Sequence, residues 1–124
     1  MSQVASLVVG GALGTLARYG LSEFTHRILG RNLPMGTLAV NLLGCFFVGF
    51  LSIYIENRLP LNAHIRLMAM VGFCGAFTTF STFMMESVGL AKNGQLQHAL
   101  GYILLSVVAG LLLFILGVAV GNRF

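Results

Sequence analysis

The residues of this chain able to do chemistry are hydroxyls, one amide and aromatic rings, and they recur at helical spacing inside apolar stretches. Thr37 and Asn41 stand four residues apart, on one helical face that Gly44 extends. Asn41 lies about two turns into its apolar stretch, a depth at which an amide serves a passing solute or a neighbouring helix, and its spacing leaves both readings open. Phe80 and Phe83 share a face, and Thr79, Thr82 and Glu86 recur on a neighbouring one. Tyr102 and Ser106 repeat the four-residue spacing near the C-terminus. Ordinary packing accounts equally for a phenylalanine pair, an aromatic belt for Tyr102 and back-bonding for Ser106. As a set, however, these groups donate hydrogen bonds or present positive ring edges, a lining that suits a small anion better than a cation. The chain offers no nucleophile–base pair, metal-ligand cluster or phosphate loop, so the reading is not an enzyme.

The elements that must hold these residues are membrane spans. Of 124 residues, 57% are hydrophobic and 8% charged, against about 25% charged in a soluble domain. Four stretches, about 4–21, 35–55, 65–90 and 99–120, approach the ~20 apolar residues that cross a bilayer. They are too long, and alternate too little, for barrel strands. The fold class is therefore an all-α integral membrane protein, with residues 1–124 forming a single transmembrane domain in the lipid bilayer. Loops are expected at Ser22–Pro34, Glu56–His64 and Ala91–His98, with Pro34 and Pro60 in them. The N-terminal stretch lacks the basic flank of a cleavable signal peptide and is too long for one. Gly10/Gly14 and Gly117/Gly121 have the spacing that lets membrane helices approach closely. Cys45 and Cys74 read as small buried hydrophobes. The net charge of +4 comes from scattered residues rather than a basic patch, so no nucleic-acid partner is expected.

Charge placement specifies no orientation. Arg58, Arg66 and Arg123 fall on the side of the termini, and Arg27, Arg31 and Lys92 on the other, three against three. Adding the α-amino group to the first set and Arg18 to the second gives four against four. The positive-inside rule then leaves copies free to insert both ways up, and the natural assembly is an antiparallel homodimer. In the third span, Gly72, Gly75 and the threonines at 78, 79 and 82 weaken the helix at mid-membrane depth. A break expected near Gly75–Thr79 would free carbonyl oxygens suited to a hard cation such as a sodium ion (Na+). Arg18 and Glu86 fall near one membrane face, where an ion pair is geometrically allowed but separate snorkelling to the interface is the favoured reading.

The stretches GALGTLARY (Gly11–Tyr19), GTLAVNLLG (Gly36–Gly44) and GFCGAFTTFSTF (Gly72–Phe83) resemble the Fluc (CrcB) family of fluoride channels, with all four spans in order. The resemblance implies an antiparallel dual-topology homodimer with two fluoride pores, in the bacterial plasma (inner) membrane, exporting fluoride passively. It implies a central Na+ held by the carbonyls of Gly75 and Thr78, and ring edges of Phe80 and Phe83 facing the ion. It further implies Asn41 as a donor, Tyr102, Ser106, Thr37 and Thr82 as pathway residues, and Arg18 near a pore entrance. Two other readings compete. A small multidrug transporter would need a membrane carboxylate in span 1, which has none. An assembly subunit without transport would tolerate alanine at Asn41, Phe80 and Phe83.

Overall fold

The computed structural model describes residues 2–58 and 62–124, so the position expected for Pro60 lies outside the described residues. Among those residues the chain is helical throughout, without strands, and four helices are long and apolar enough to cross a membrane: Gln3–Leu29, Met35–Arg58, Ala63–Lys92 and Leu96–Gly121.

The first helix, α1 (Gln3–Leu29), starts where the Ser2 hydroxyl accepts the Ala5 N–H at 3.1 Å. It continues through Ser22–Leu29, where the hydropathy pattern places a loop. No breaker interrupts the run between Gly20 and Gly30, and the Thr25 hydroxyl bonds back to the Leu21 carbonyl at 2.8 Å. Gly30, at φ 81°, ends it in the left-handed region open to glycine. Pro34 then stands immediately before α2 (Met35–Arg58), its carbonyl accepting from Leu38 N–H at 3.1 Å.

The third span is composite. It begins with α3 (Ala63–Arg66), passes into a π-helical stretch (Leu67–Cys74) and returns to one turn of α-helix, α4 (Gly75–Phe77). Thr78 (φ −95°, ψ 161°) and Thr79 (φ −153°, ψ 119°) are extended, and α5 (Phe80–Lys92) follows. The glycines do not themselves leave the helix, since Gly75 keeps α-helical angles of −61° and −41°. The β-branched pair takes the extended conformation, and Thr79 then caps α5 by accepting Thr82 N–H at 3.2 Å. The last helix, α6 (Leu96–Gly121), runs to the C-terminus.

Two parallel helix pairs make the bundle. In one, α1 lies along the π-helical stretch, with Gly10 against the Met68 carbonyl and Gly14 against that of Phe73. In the other, α2 lies along α6, with Gly49 against the Phe114 carbonyl, Gly117 against the Phe46 carbonyl and the Phe50 amide, and the contacts running from Cys45–Gly110 to Ile53–Gly121. Residue numbers rise together along both contacts. The pairs are joined near the end of the bundle that carries loop 1 (residues 30–34) and loop 3 (residues 93–95), where Gly36 lies against Ser22 and His26. A buried cluster of Leu38, Phe83, Leu90, Ala99 and Tyr102 fills the same end of the bundle. Elsewhere the helices are bare: only 11–28% of the residues in each helix's most apolar window are buried. That much exposed hydrocarbon far exceeds what a water-soluble monomer presents and must meet lipid or another copy.

Candidate functional site

The break in the third span is held from across the bundle by one side chain. Asn41 donates from Nδ2 to the Thr79 carbonyl at 3.0 Å, and its Oδ1 accepts the Thr79 N–H at 2.8 Å. The amide thus replaces both helical partners of one extended residue and keeps one Nδ2 hydrogen in reserve. Of the two roles that spacing leaves open for Asn41, the interhelical bond is present, and the spare hydrogen leaves the donor role available.

Diverting these donors bares two carbonyls. In a continuous helix Thr79 N–H would bond to the Gly75 carbonyl and Thr82 N–H to that of Thr78; here they go to Asn41 and to the Thr79 hydroxyl. Thr78 N–H and its hydroxyl both turn back to the Cys74 carbonyl, at 3.1 and 2.9 Å. A side chain built at Gly75 would meet nothing within 4 Å. Two freed carbonyl oxygens beside open space fit a hard monovalent cation in kind, provided further oxygens come from elsewhere. Among the described residues no trio of His, Cys, Asp or Glu offers another metal site.

Around Asn41 lies a cavity of about 370 Å³, walled by Asn41, Thr78, Phe80, Phe83 and Ser106, with Cys45, Val48 and Phe114 completing one end. Phe80 is 72% exposed while Phe83 is buried, and their rings meet edge to face at 5.9 Å. Phe83 in turn meets the Tyr102 ring edge to face at 5.0 Å.

Helix register orders the polar groups. One turn from Asn41 towards loop 1 is Thr37, and one turn from Ser106 in the same direction is Tyr102. Glu86 is nearly one turn beyond Phe83 and stands beside Thr37 and Tyr102. Glu86 Oε1, Tyr102 OH and Ser106 Oγ are all buried without a partner at hydrogen-bond geometry, although the first two stand close enough to each other and to Thr37 to interact. A buried polar atom left unpaired costs about 1–3 kcal/mol, and three on one line mark a place built for something other than stability. Tyr102→Phe and Ser106→Ala are accordingly expected to melt at the same temperature as the parent or slightly higher, measured as purified protein in detergent. A clear drop would show that these hydroxyls have hidden partners.

Arg18 does not reach Glu86: among the described residues the one ion pair is Arg31–Glu23, at 2.8 Å. Arg18 instead lines a second cavity of about 300 Å³ with Thr37, Thr79 and Thr82. Glu86 opens onto a third, of about 330 Å³, shared with His26, Arg31 and Asn93. The single pathway expected from sequence is thus divided: Asn41, Phe80, Phe83 and Ser106 line one cavity and Thr37, Thr82 and Arg18 another, while Tyr102 is buried. Sequence spacing groups the polar residues. It misses Thr79, the anchor of Asn41, and the place of Glu86 on the line of Tyr102; the recurrence of Thr79, Thr82 and Glu86 on one face is the signal that pointed to both.

Comparison with known proteins adds an independent finding. Residues 5–118 match the family described as CrcB-like protein, Camphor Resistance (CrcB). The chain is 44% identical over 122 residues to the Fluoride-specific ion channel FluC of Dehalococcoides mccartyi (strain BAV1), covering 98% of this chain and 94% of the relative. It is 41% identical over 124 residues to the protein of the same name from Chloroflexus aurantiacus (strain J-10-fl), covering 100% and 98%. The corresponding protein of Nitratidesulfovibrio vulgaris (strain Miyazaki F) is 43% identical over 122 residues, covering 98% of both chains.

Proposed function

The chain belongs to the CrcB family, and from that premise we propose that it is a fluoride-selective channel whose conducting line runs through Asn41, Ser106, Tyr102 and Thr37. It is a multi-pass membrane protein and a channel rather than an enzyme. Its place is the bacterial plasma (inner) membrane, where it lets fluoride leave the cytoplasm passively.

The observation that carries this reading is the row of buried polar atoms without a partner at hydrogen-bond geometry on Ser106, Tyr102 and Glu86, beside a cavity that holds Asn41 and two phenylalanines. Fluoride is small and strongly hydrated, so a selective path must replace its water with close donors. The Tyr102 and Ser106 hydroxyls and the spare Asn41 hydrogen are such donors, and the edges of Phe80 and Phe83 carry the positive end of the ring quadrupole. Thr37 and Thr82 extend the polar wall, and Arg18 supplies positive charge at one pore entrance.

The polar line of one copy reaches from mid-bundle to the loop 1 side only. In the other direction the cavity is walled by Cys45, Val48 and Phe114. A second copy inserted the opposite way up would contribute its own polar half towards the other membrane face, covering Phe80 and the open side of Gly75. The balanced charge count supports that antiparallel homodimer, with two pathways related by a two-fold axis. The carbonyls of Gly75 and Thr78 from both copies would hold a Na+ at the axis, whose chemistry is purely structural, tying the two backbone breaks together.

Proteoliposomes test the reading directly. Purified protein is expected to release fluoride, followed with a fluoride electrode, while chloride in matched vesicles stays trapped. Phe80→Ala and Phe83→Ala are expected to cut that release at least ~10-fold if each ring edge supplies as little as about 1.4 kcal/mol to the crossing ion. Equal chloride release, or alanine variants that conduct like the parent, would refute it.

A further inference from the structure

Glu86 raises an electrostatic question for any path that carries an anion. Its carboxyl stands where the polar line of Tyr102 and Thr37 meets the loop 1 and loop 3 end of the bundle, and it opens onto the cavity of about 330 Å³ there. An anion arriving from that side would meet a carboxyl group before any donor of the line. The same cavity also holds Arg31 and His26. Arg31 is not loose: one guanidinium nitrogen donates to Glu23 at 2.8 Å, and another stands 3.3 Å from His26 Nδ1. His26 is half-buried, faces Gly36 of α2 and interacts electrostatically with Glu86. The helix end and the following turn thus place a guanidinium over the mouth of a line that begins with a carboxyl group.

We propose that Arg31, steadied by Glu23 and His26, is the cationic collar of a second pore mouth, distinct from the cavity of Arg18, and that it recruits fluoride past Glu86. The inference rests on the channel reading above. Its physics is that of a charged funnel: a fixed positive charge at a narrow opening raises the local anion concentration, and mobile salt screens the effect. Glu23 itself lines the neighbouring cavity of Arg18, but it stands 2.8 Å from the Arg31 guanidinium, so its negative charge offsets that of Arg31 and opposes capture even as it steadies the side chain. In an antiparallel dimer each membrane face would carry one such collar, so vesicles need no uniform orientation.

The test uses the full-length protein in liposomes, with fluoride efflux measured below saturation at low and high concentrations of an impermeant salt. At low salt, Arg31→Gln is expected to slow efflux by about threefold to tenfold, Arg31→Lys to keep most of the rate, and Glu23→Gln to speed it. At high salt the variants are expected to converge on the parent. The side chain of Arg31 is 64% exposed, so these variants should elute from size exclusion like the parent. Convergence of all rates at low salt, or slowing by both Arg31→Gln and Glu23→Gln, would overturn the collar while leaving the channel intact. A parent protein that releases no fluoride would instead overturn the channel reading on which the collar depends.

Discussion

Asn41→Ala is expected to abolish fluoride release and to loosen the fold in the same step. The amide is the partner of both backbone groups of Thr79. Its removal leaves an N–H and a carbonyl unpaired, at about 1–3 kcal/mol each, and Thr79 is only half-buried, so the lower part of that range applies. The destabilisation should therefore be about 2–3 kcal/mol, visible as a lower melting temperature in detergent. Flux should fall further than stability implies, by at least ~100-fold, because the donor facing the cavity disappears as well and each ~1.4 kcal/mol is tenfold. Asn41→Asp separates the two effects. It keeps an acceptor for Thr79 N–H, so the protein should melt closer to the parent, but it replaces the donor with negative charge and should conduct no fluoride. An aspartate variant that conducts normally would remove Asn41 from the pathway and leave it a purely structural clamp.

Gly117→Ala is expected to be among the most damaging small substitutions at a distance from the pathway. A Cβ there would run into the Phe46 carbonyl and come within 2.9 Å of the Phe50 amide, both backbone atoms of α2 that cannot rotate away. Overpacking ordinarily costs about 1–3 kcal/mol, and rigid neighbours place this site at or above the upper end. Membrane helices are held by such close packing rather than by a hydrophobic difference from lipid, so α2 and α6 should separate. The control is Gly101→Ala on the same helix, where a Cβ would meet nothing within 4 Å and the better helix former should be neutral or gain about 0.5–1 kcal/mol. Equal yields and melting temperatures for the two variants would refute this account of the α2–α6 contact.

Much of this architecture was legible in advance, for identifiable reasons. Four apolar stretches are a one-dimensional property, and lipid as solvent makes them decisive. The four-residue pairs Thr37/Asn41 and Tyr102/Ser106 fix shared faces by helical geometry alone, and they stand in register in the structure. What local spacing does not encode is pairing across 38 residues, so the attachment of Asn41 to Thr79 escaped it. The same holds for Glu86: its face was readable, but whether it turns to Arg18 or to Tyr102 depends on the rotation of the whole third span. The π-helical stretch Leu67–Cys74 contributes to that rotation and carries no mark in composition. The extension of α1 through Leu29 was hidden because Glu23, His26 and Arg27 look like loop residues to a hydropathy reading, although helix propensity tolerates all three.

The bared carbonyls at Gly75 and Thr78 bear on how copies of the chain distribute in a bilayer. Hydrocarbon offers nothing to an unpaired backbone group, and each one held against it costs several kcal/mol. Given the antiparallel dimer proposed above, a solitary molecule would carry that burden permanently and be relieved of it on meeting a mate. Dilution with excess lipid would therefore work against a steep gradient, and protein would persist in company far below the density at which chance encounters keep molecules together.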